Sequence, residues 1–99
     1  MSVMVNFAMF PTDKGGSGTA PYVAKVLDEL DKAGINYQLG PMGTTFEVET
    51  MEEAMSAITN AHNALQEVSD RIYCAVTIDS RKGMSNRTKQ KVEDVEKLR

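Results

Sequence analysis

Residues Tyr37 to Glu49 read as a β-hairpin, and its place in the chain leaves few architectures open: a strand and a helix precede it, and a helix and a strand follow. The turn is Gly40-Pro41-Met42-Gly43. Proline presets φ for the second turn position, and the two glycines tolerate the positive φ that other residues avoid. Beyond the turn, strict alternation separates Thr44, Phe46 and Val48 from Thr45, Glu47 and Glu49, so the two sets face opposite sides of a sheet.

The flanking elements follow from their periods. A first strand runs from about Val3 to Phe10 and is stopped by Pro11; a loop carrying Gly15, Gly16, Ser17 and Gly18 comes next. Val23, Val26, Leu27 and Leu30 then recur at helical spacing, with Thr19 placed to cap the start and Gly34 to close the end. Ile35 to Leu39 supply the first hairpin strand. Thr50-Met51-Glu52-Glu53 has capping-box spacing, and Ala54, Ile58, Ala61, Leu65 and Val68 mark one face of a second helix ending near Ser69. Ile72, Cys74, Val76 and Ile78 alternate with Tyr73, Ala75, Thr77 and Asp79 as a last strand. A third helix starting at Ser85 or Asn86 carries a narrow stripe of Val92, Val95 and Leu98, which docks weakly or onto a partner.

The order is β-α-β-β-α-β. Right-handed crossovers put both long helices on one face of a four-stranded antiparallel sheet, so the expected fold is an α+β ferredoxin-like sandwich with a C-terminal helix, in one domain of 99 residues. Val5, Phe7, Phe46, Val48, Cys74, Val76 and Ile78 are expected to point inward, with Cys74 behaving as a small interior hydrophobe. The face without helices then carries Met4, Asn6, Ala8, Phe10, Thr45, Glu47, Glu49, Tyr73, Ala75, Thr77 and Asp79. Its apolar members would form an exposed patch of the kind that marks a contact surface. Asn6 on a central strand needs a hydrogen-bonding partner, across subunits or on a ligand.

Composition excludes several classes. A net charge of −3 withholds the basic field that phosphate backbones require, and the strands lack the aromatic and basic stacking pattern of an RNA-binding sheet; no nucleic-acid partner is expected. No segment approaches the roughly 18 consecutive apolar residues of a membrane span, nor does a basic region precede an apolar run at the start. One cysteine allows no intrachain disulfide, which fits a reducing cytoplasm. The glycine-rich loop lacks the lysine and spacing of a P-loop. The single histidine, His62, lies on the second helix; of the seven methionines Met1 is the initiator and Met51 and Met55 fall near helix caps and core faces, so core filling is expected in preference to metal binding, and no metal site or cofactor is indicated.

The hairpin Tyr37 to Glu49, with Asp70-Arg71-Ile72-Tyr73 and Ile78-Asp79-Ser80-Arg81-Lys82-Gly83 downstream, resembles the small thiamine-binding protein family related to the YkoF-like proteins. The similarity covers nearly the whole chain. It implies a dimer of dimers that binds thiamine or its hydroxymethylpyrimidine part without catalysis. On that resemblance the ligand-binding residues are Asn6, Ser17, Leu39, Gly40, Met42, Thr44, Thr45 and Glu47. Asn6, Thr45 and the backbone of Leu39 to Met42 would match the aminopyrimidine edge, and Glu47 or Glu49 would face the thiazolium cation. Met42, Phe10 or Tyr73 would cover the ring, and the glycine loop would close with Ser17 in reach. Each residue also has an ordinary role: threonines favour strands, and surface glutamates are mostly solvated. Two other classes fit the same fold. A small cofactor-free oxygenase would ask for a buried His or Trp, and the chain has no Trp. A regulatory small-molecule-sensing module like an ACT domain, or a structural oligomeric module, would need a partner in trans.

Overall fold

The first strand, β1 (Ser2–Pro11), is bounded by a residue that cannot continue it: Pro11 has no N–H to give to a further ladder bond. The structure is a computed structural model and describes residues 1–16, 18–83 and 87–99. After β1 come α1 (Ala20–Lys32), β2 (Tyr37–Leu39), β3 (Thr44–Val48), α2 (Met51–Gln66), β4 (Ile72–Arg81) and α3 (Arg87–Lys97). The expected α3 start at Ser85 or Asn86 lies outside the described residues.

Local chemistry explains the helix ends. At α1, Thr19 is the N-cap residue but its side chain makes no capping bond, contrary to expectation; its backbone, at φ −104° and ψ −4°, is already helical. A side-chain cap needs an extended N-cap backbone to bring the hydroxyl over the free N–H groups. The Thr19 carbonyl instead takes the Tyr22 and Val23 N–H groups, each at 2.9 Å. The other end of α1 is a Schellman stop: Gly34 sits at φ +71°, its N–H donates to the Asp31 carbonyl at 3.0 Å, and Ile35 N–H donates to the Leu30 carbonyl at 3.0 Å. Ile35 is therefore used to close the helix, and β2 begins at Tyr37, two residues later than its apolar pattern implies. At α2, Thr50 is extended (φ −131°, ψ 156°) and its hydroxyl accepts from the Glu53 N–H at 3.1 Å, with Glu52 and Glu53 favourably placed in the first turn.

The sheet order is β2-β3-β1-β4, every neighbouring pair antiparallel. This is the ferredoxin-like fold. β1 is paired on both sides: Val5 faces Phe46 on β3 and Ile78 on β4, and Phe7 faces Thr44 and Val76. Val3, Val5, Phe7 and Met9 from β1 and Phe46 and Val48 from β3 are buried against Val26 and Leu30 of α1 and Ala54, Ala57, Ala61 and Leu65 of α2. The alanines let α2 approach closely. Phe7 and Phe46 meet edge to face, centroids 5.9 Å apart at 74°, the arrangement favoured by the ring quadrupoles.

β4 departs from expectation. Cys74, Val76 and Ile78 do register with Met9, Phe7 and Val5, hence on the helix face, but Cys74 is exposed and not interior. The helices centre on β1 and β3, and β4 is left at the rim with its residues exposed on both faces beyond Ile72. Partial burial still pushes the Cys74 thiol pKa up. On the opposite face α3 lies against one end of the sheet. Its Lys91 Nζ meets Asp79 Oδ2 at 3.2 Å, an exposed pair that contributes little, while Val92, Val95 and Leu98 stay exposed. Weak docking of α3 is thus what the structure shows.

The end of β1 is tied to the α2–β4 connection. Thr12 N–H donates to the Arg71 carbonyl at 2.8 Å; Ser69 Oγ, buried, lies 2.6 Å from Asp13 Oδ1, and Asp70 N–H donates to Asp13 Oδ2 at 2.8 Å. The Ser69 hydroxyl first, and the Asp70 N–H second, hold the Asp13 carboxyl below its ordinary value of 3.8. A depressed folded-state pKa stabilises the fold above the unfolded value, and that contribution is lost as pH falls through the folded one. Asp13→Asn should therefore lower Tm at pH 7, and the gap to the parent should narrow as pH falls below 3.8; thermal melts across pH measure this.

Candidate ligand-binding site

The hairpin turn, the last residues of β1 and the first half of α1 enclose a cavity of about 340 Å³. Three segments build it: Phe7 to Phe10, then Thr19, Val23 and Val26, then Leu39 to Thr44. The turn is held by a Gly40 N–H bond to the Gly43 carbonyl at 2.8 Å. Neither Gly40 nor Gly43 has positive φ, so the expected reason for these glycines is replaced by another. A Cβ on Gly43 would sit 3.0 Å from the Phe7 carbonyl oxygen and 3.2 Å from Asn6 Oδ1. The turn lies directly on β1, and a side chain at Gly43 requires the turn or β1 to give by a few tenths of an ångström.

Among the described residues, no lining residue carries a charge, and the polar side chains in the wall are Thr19 and Thr44. Thr44 is 4% exposed, and among the described residues its hydroxyl has no hydrogen-bond partner. A buried hydroxyl without a partner costs about 1–3 kcal/mol. Its position has a cause: alternation along β3 that turns Phe46 and Val48 inward turns Thr44 inward too, at the strand end where the core gives way to the cavity. Leu39 and Met42 are exposed apolar residues at the rim, Met42 at 88%.

Around the turn on the open sheet face, register places Gln38, Thr45, Asn6 and Thr77 in one row across all four strands. Thr45 Oγ1 donates to Asn6 Oδ1 at 3.1 Å, so the amide oxygen on the central strand has a partner within the chain. Phe10, in the cavity wall, packs against Tyr73, ring centroids 5.3 Å apart.

The structure divides the expected site. Leu39, Gly40, Met42 and Thr44 line the cavity; Asn6 and Thr45 adjoin it across Gly43. Glu47 lies apart, toward the other end of the sheet, where it accepts a hydrogen bond from Ser2 Oγ, and Glu49 is exposed beyond β3. No carboxylate reaches the cavity. Ser17 lies outside the described residues. Phe10 and Met42 line the wall as expected, whereas Tyr73 contributes through Phe10. Phe7, Val23 and Val26, which the sequence assigns to packing, also face the cavity. Their signal is weak: they are the core residues nearest the glycine loop, and apolar periodicity is the same for a core and for an apolar pocket. His62 contacts Asn63 on α2 and is not a lining residue. Among the described residues, no group of three His, Cys, Asp or Glu side chains is arranged to hold a metal, and no helix is long and apolar enough to cross a membrane.

Residues 5–96 match the family described as thiamine-binding protein. The chain belongs to the thiamine-binding protein family. A member from Methanothermobacter thermautotrophicus, named only as a UPF0045 protein, is 33% identical over 94 residues, covering 94% of this chain and 95% of that one. The crystal structure of a hypothetical protein from Methanocaldococcus jannaschii superimposes with a TM-score of 0.84 at 26% identity, covering 96% of both chains. A Thermotoga maritima protein provisionally assigned to thiamine biosynthesis or salvage shares the fold at a TM-score of 0.77 and 23% identity, over the full length of both chains. In this thiamine-binding family member the cavity shape rests on the contact of Gly43 with β1. Gly43→Ala forces the turn off the Phe7 carbonyl and should cost about 1–3 kcal/mol, read as a lower denaturant midpoint with an unchanged m-value.

Proposed function

We propose that the protein binds thiamine or its hydroxymethylpyrimidine part, without catalysis and as a homo-oligomer, with the pyrimidine ring in the cavity under the hairpin turn. The observation that carries this reading is the buried Thr44 hydroxyl, without a partner among the described residues, in a mainly apolar, uncharged wall. Small-molecule sites combine apolar walls with a few placed polar groups, and an aminopyrimidine offers the donors and acceptors that a lone hydroxyl and the turn backbone require. A volume of about 340 Å³ stands at the low end of the ~300–1,000 Å³ range of such sites, which suits one substituted ring with part of a second. The uncharged wall favours the neutral pyrimidine inside and leaves the thiazolium cation toward the rim, near Met42 and the Asn6–Thr45 pair. Ser17 remains a proposed contact on the family resemblance; Glu47, held by Ser2, belongs to the sheet end and is left out of this reading.

A carrier or sensor is the role that a wall without titratable side chains supports, because proton transfer needs a positioned acid or base. Two or three hydrogen bonds at roughly 0.5–1.5 kcal/mol each, with ring burial, account for micromolar affinity, about −8 kcal/mol.

Titration calorimetry with thiamine, hydroxymethylpyrimidine and thiamine phosphate tests the reading. The expected result is saturable binding in the micromolar range, with the free pyrimidine retaining most of the affinity. Thr44→Val should weaken binding roughly threefold to tenfold, the worth of one hydrogen bond, while Tm holds or rises because a buried unpartnered hydroxyl is removed. Undiminished binding by Thr44→Val moves the site elsewhere. No heat with any of the three leaves the sensing module with another ligand.

A further inference from the structure

β1 outruns its neighbour β3. The two strands pair from Val3 opposite Val48 to Phe7 opposite Thr44, where the hairpin turn takes over, whereas β1 continues beside β4 as far as Pro11 opposite Ile72. In an antiparallel ladder the N–H and C=O of one residue point to the same neighbouring strand, and successive residues alternate between neighbours. The even-numbered residues of β1 serve β4: the Asn6 carbonyl accepts from the Thr77 hydroxyl at 3.4 Å, and just past the strand Thr12 N–H donates to the Arg71 carbonyl at 2.8 Å. The odd-numbered ones serve β3, and the Phe7 carbonyl is the atom a Cβ on Gly43 would meet at 3.0 Å. Met9 is the next odd residue. Its main-chain N–H and C=O therefore point where β3 has ended and the cavity begins. Met9 lines that cavity and is 4% exposed, and among the described residues neither group has a backbone partner. Buried backbone groups are nearly always paired. Pro11, the next odd residue, has no N–H, so Met9 supplies the single main-chain donor along this free edge of β1.

We propose that the main-chain N–H and C=O of Met9 are the recognition pair of the cavity, the N–H donating to a ring nitrogen and the C=O accepting from an amine on the adjacent carbon. The ligand then continues the line of β3 by two hydrogen bonds. This rests on the cavity reading above and names its substrate class, nitrogen heterocycles that carry an amine beside a ring nitrogen. The donor and acceptor of one extended residue lie side by side on one edge, as do the acceptor nitrogen and donor amine of a 4-aminopyrimidine, and both sets are uncharged. A ring of the same shape without those groups leaves a buried donor and a buried acceptor unpaired, with the desolvation cost of each uncompensated. Thr44 lies across the sheet from Phe7, two residues before Met9, so the edge pair is a second polar feature, separate from the hydroxyl.

Three measurements on the full chain with hydroxymethylpyrimidine test it. In protein labelled with ¹⁵N-methionine, the Met9 amide, assigned by its loss in Met9→Leu, should move downfield at saturation and exchange more slowly with solvent. The analogue with hydrogen in place of the amine should bind about tenfold more weakly or worse. Met9→Pro deletes the N–H without breaking a ladder bond, because that group faces away from β4; it should lose about tenfold in affinity, whereas Met9→Leu, which keeps the N–H and fills the core, stays within about threefold of the parent. A Met9 amide that neither shifts nor gains protection at saturation overturns the proposal, as does a folded Met9→Pro with the affinity of Met9→Leu. Either result leaves the cavity reading standing where Thr44→Val still weakens binding. Absence of saturable binding to the parent ends both.

Discussion

The strand that the structure depends on is β1. It is a central strand, paired with β3 on one side and along its whole length with β4 on the other and buried on one face, and its residues serve three surfaces at once. Val3, Val5 and Phe7 anchor the helix layer; Asn6 closes the polar row of the open face; the Phe7 carbonyl receives the hairpin turn so closely that a side chain on Gly43 would press on it. A one-residue slip of β1 would exchange its two faces, burying Asn6 and exposing Phe7. The apolar core and the cavity therefore share one register.

Much of this was legible before the structure. The element order and the crossover rule lead to the ferredoxin-like sheet, and alternation assigns the two faces of β1, β3 and β4 correctly. What alternation does not report is which strand lies at the edge and how far the helices reach. Cys74, Val76 and Ile78 have the parity of core residues without being covered. Similarly, a glycine in a turn signals either unusual φ or crowding, and the sequence alone does not distinguish them; Gly34 is the first case and Gly43 the second. The short hairpin loop brought Leu39, Gly40, Met42 and Thr44 together, as local sequence could indicate. Glu47 was separated from them because three residues of extended strand, about 10 Å, carry it toward Ser2. Val23 and Phe7 join the cavity through tertiary packing, which leaves no mark on their spacing.

Thr44 shows how the two kinds of information combine. By propensity it is an ordinary strand residue, and by alternation it belongs with Phe46 and Val48 in the core, where a hydroxyl with no partner is a local inconsistency. Sequences violate such rules mainly at functional positions. In the folded chain Thr44 lines an uncharged cavity, and its hydroxyl has no hydrogen-bond partner among the described residues. The fold thus bears a small penalty that a hydrogen-bonding ligand can offset. On the proposed reading, a ligand that relieves it gains affinity over one of equal apolar area that does not, and the residue that weakens the empty protein is then the one that discriminates a heteroaromatic ring from a hydrocarbon of the same size.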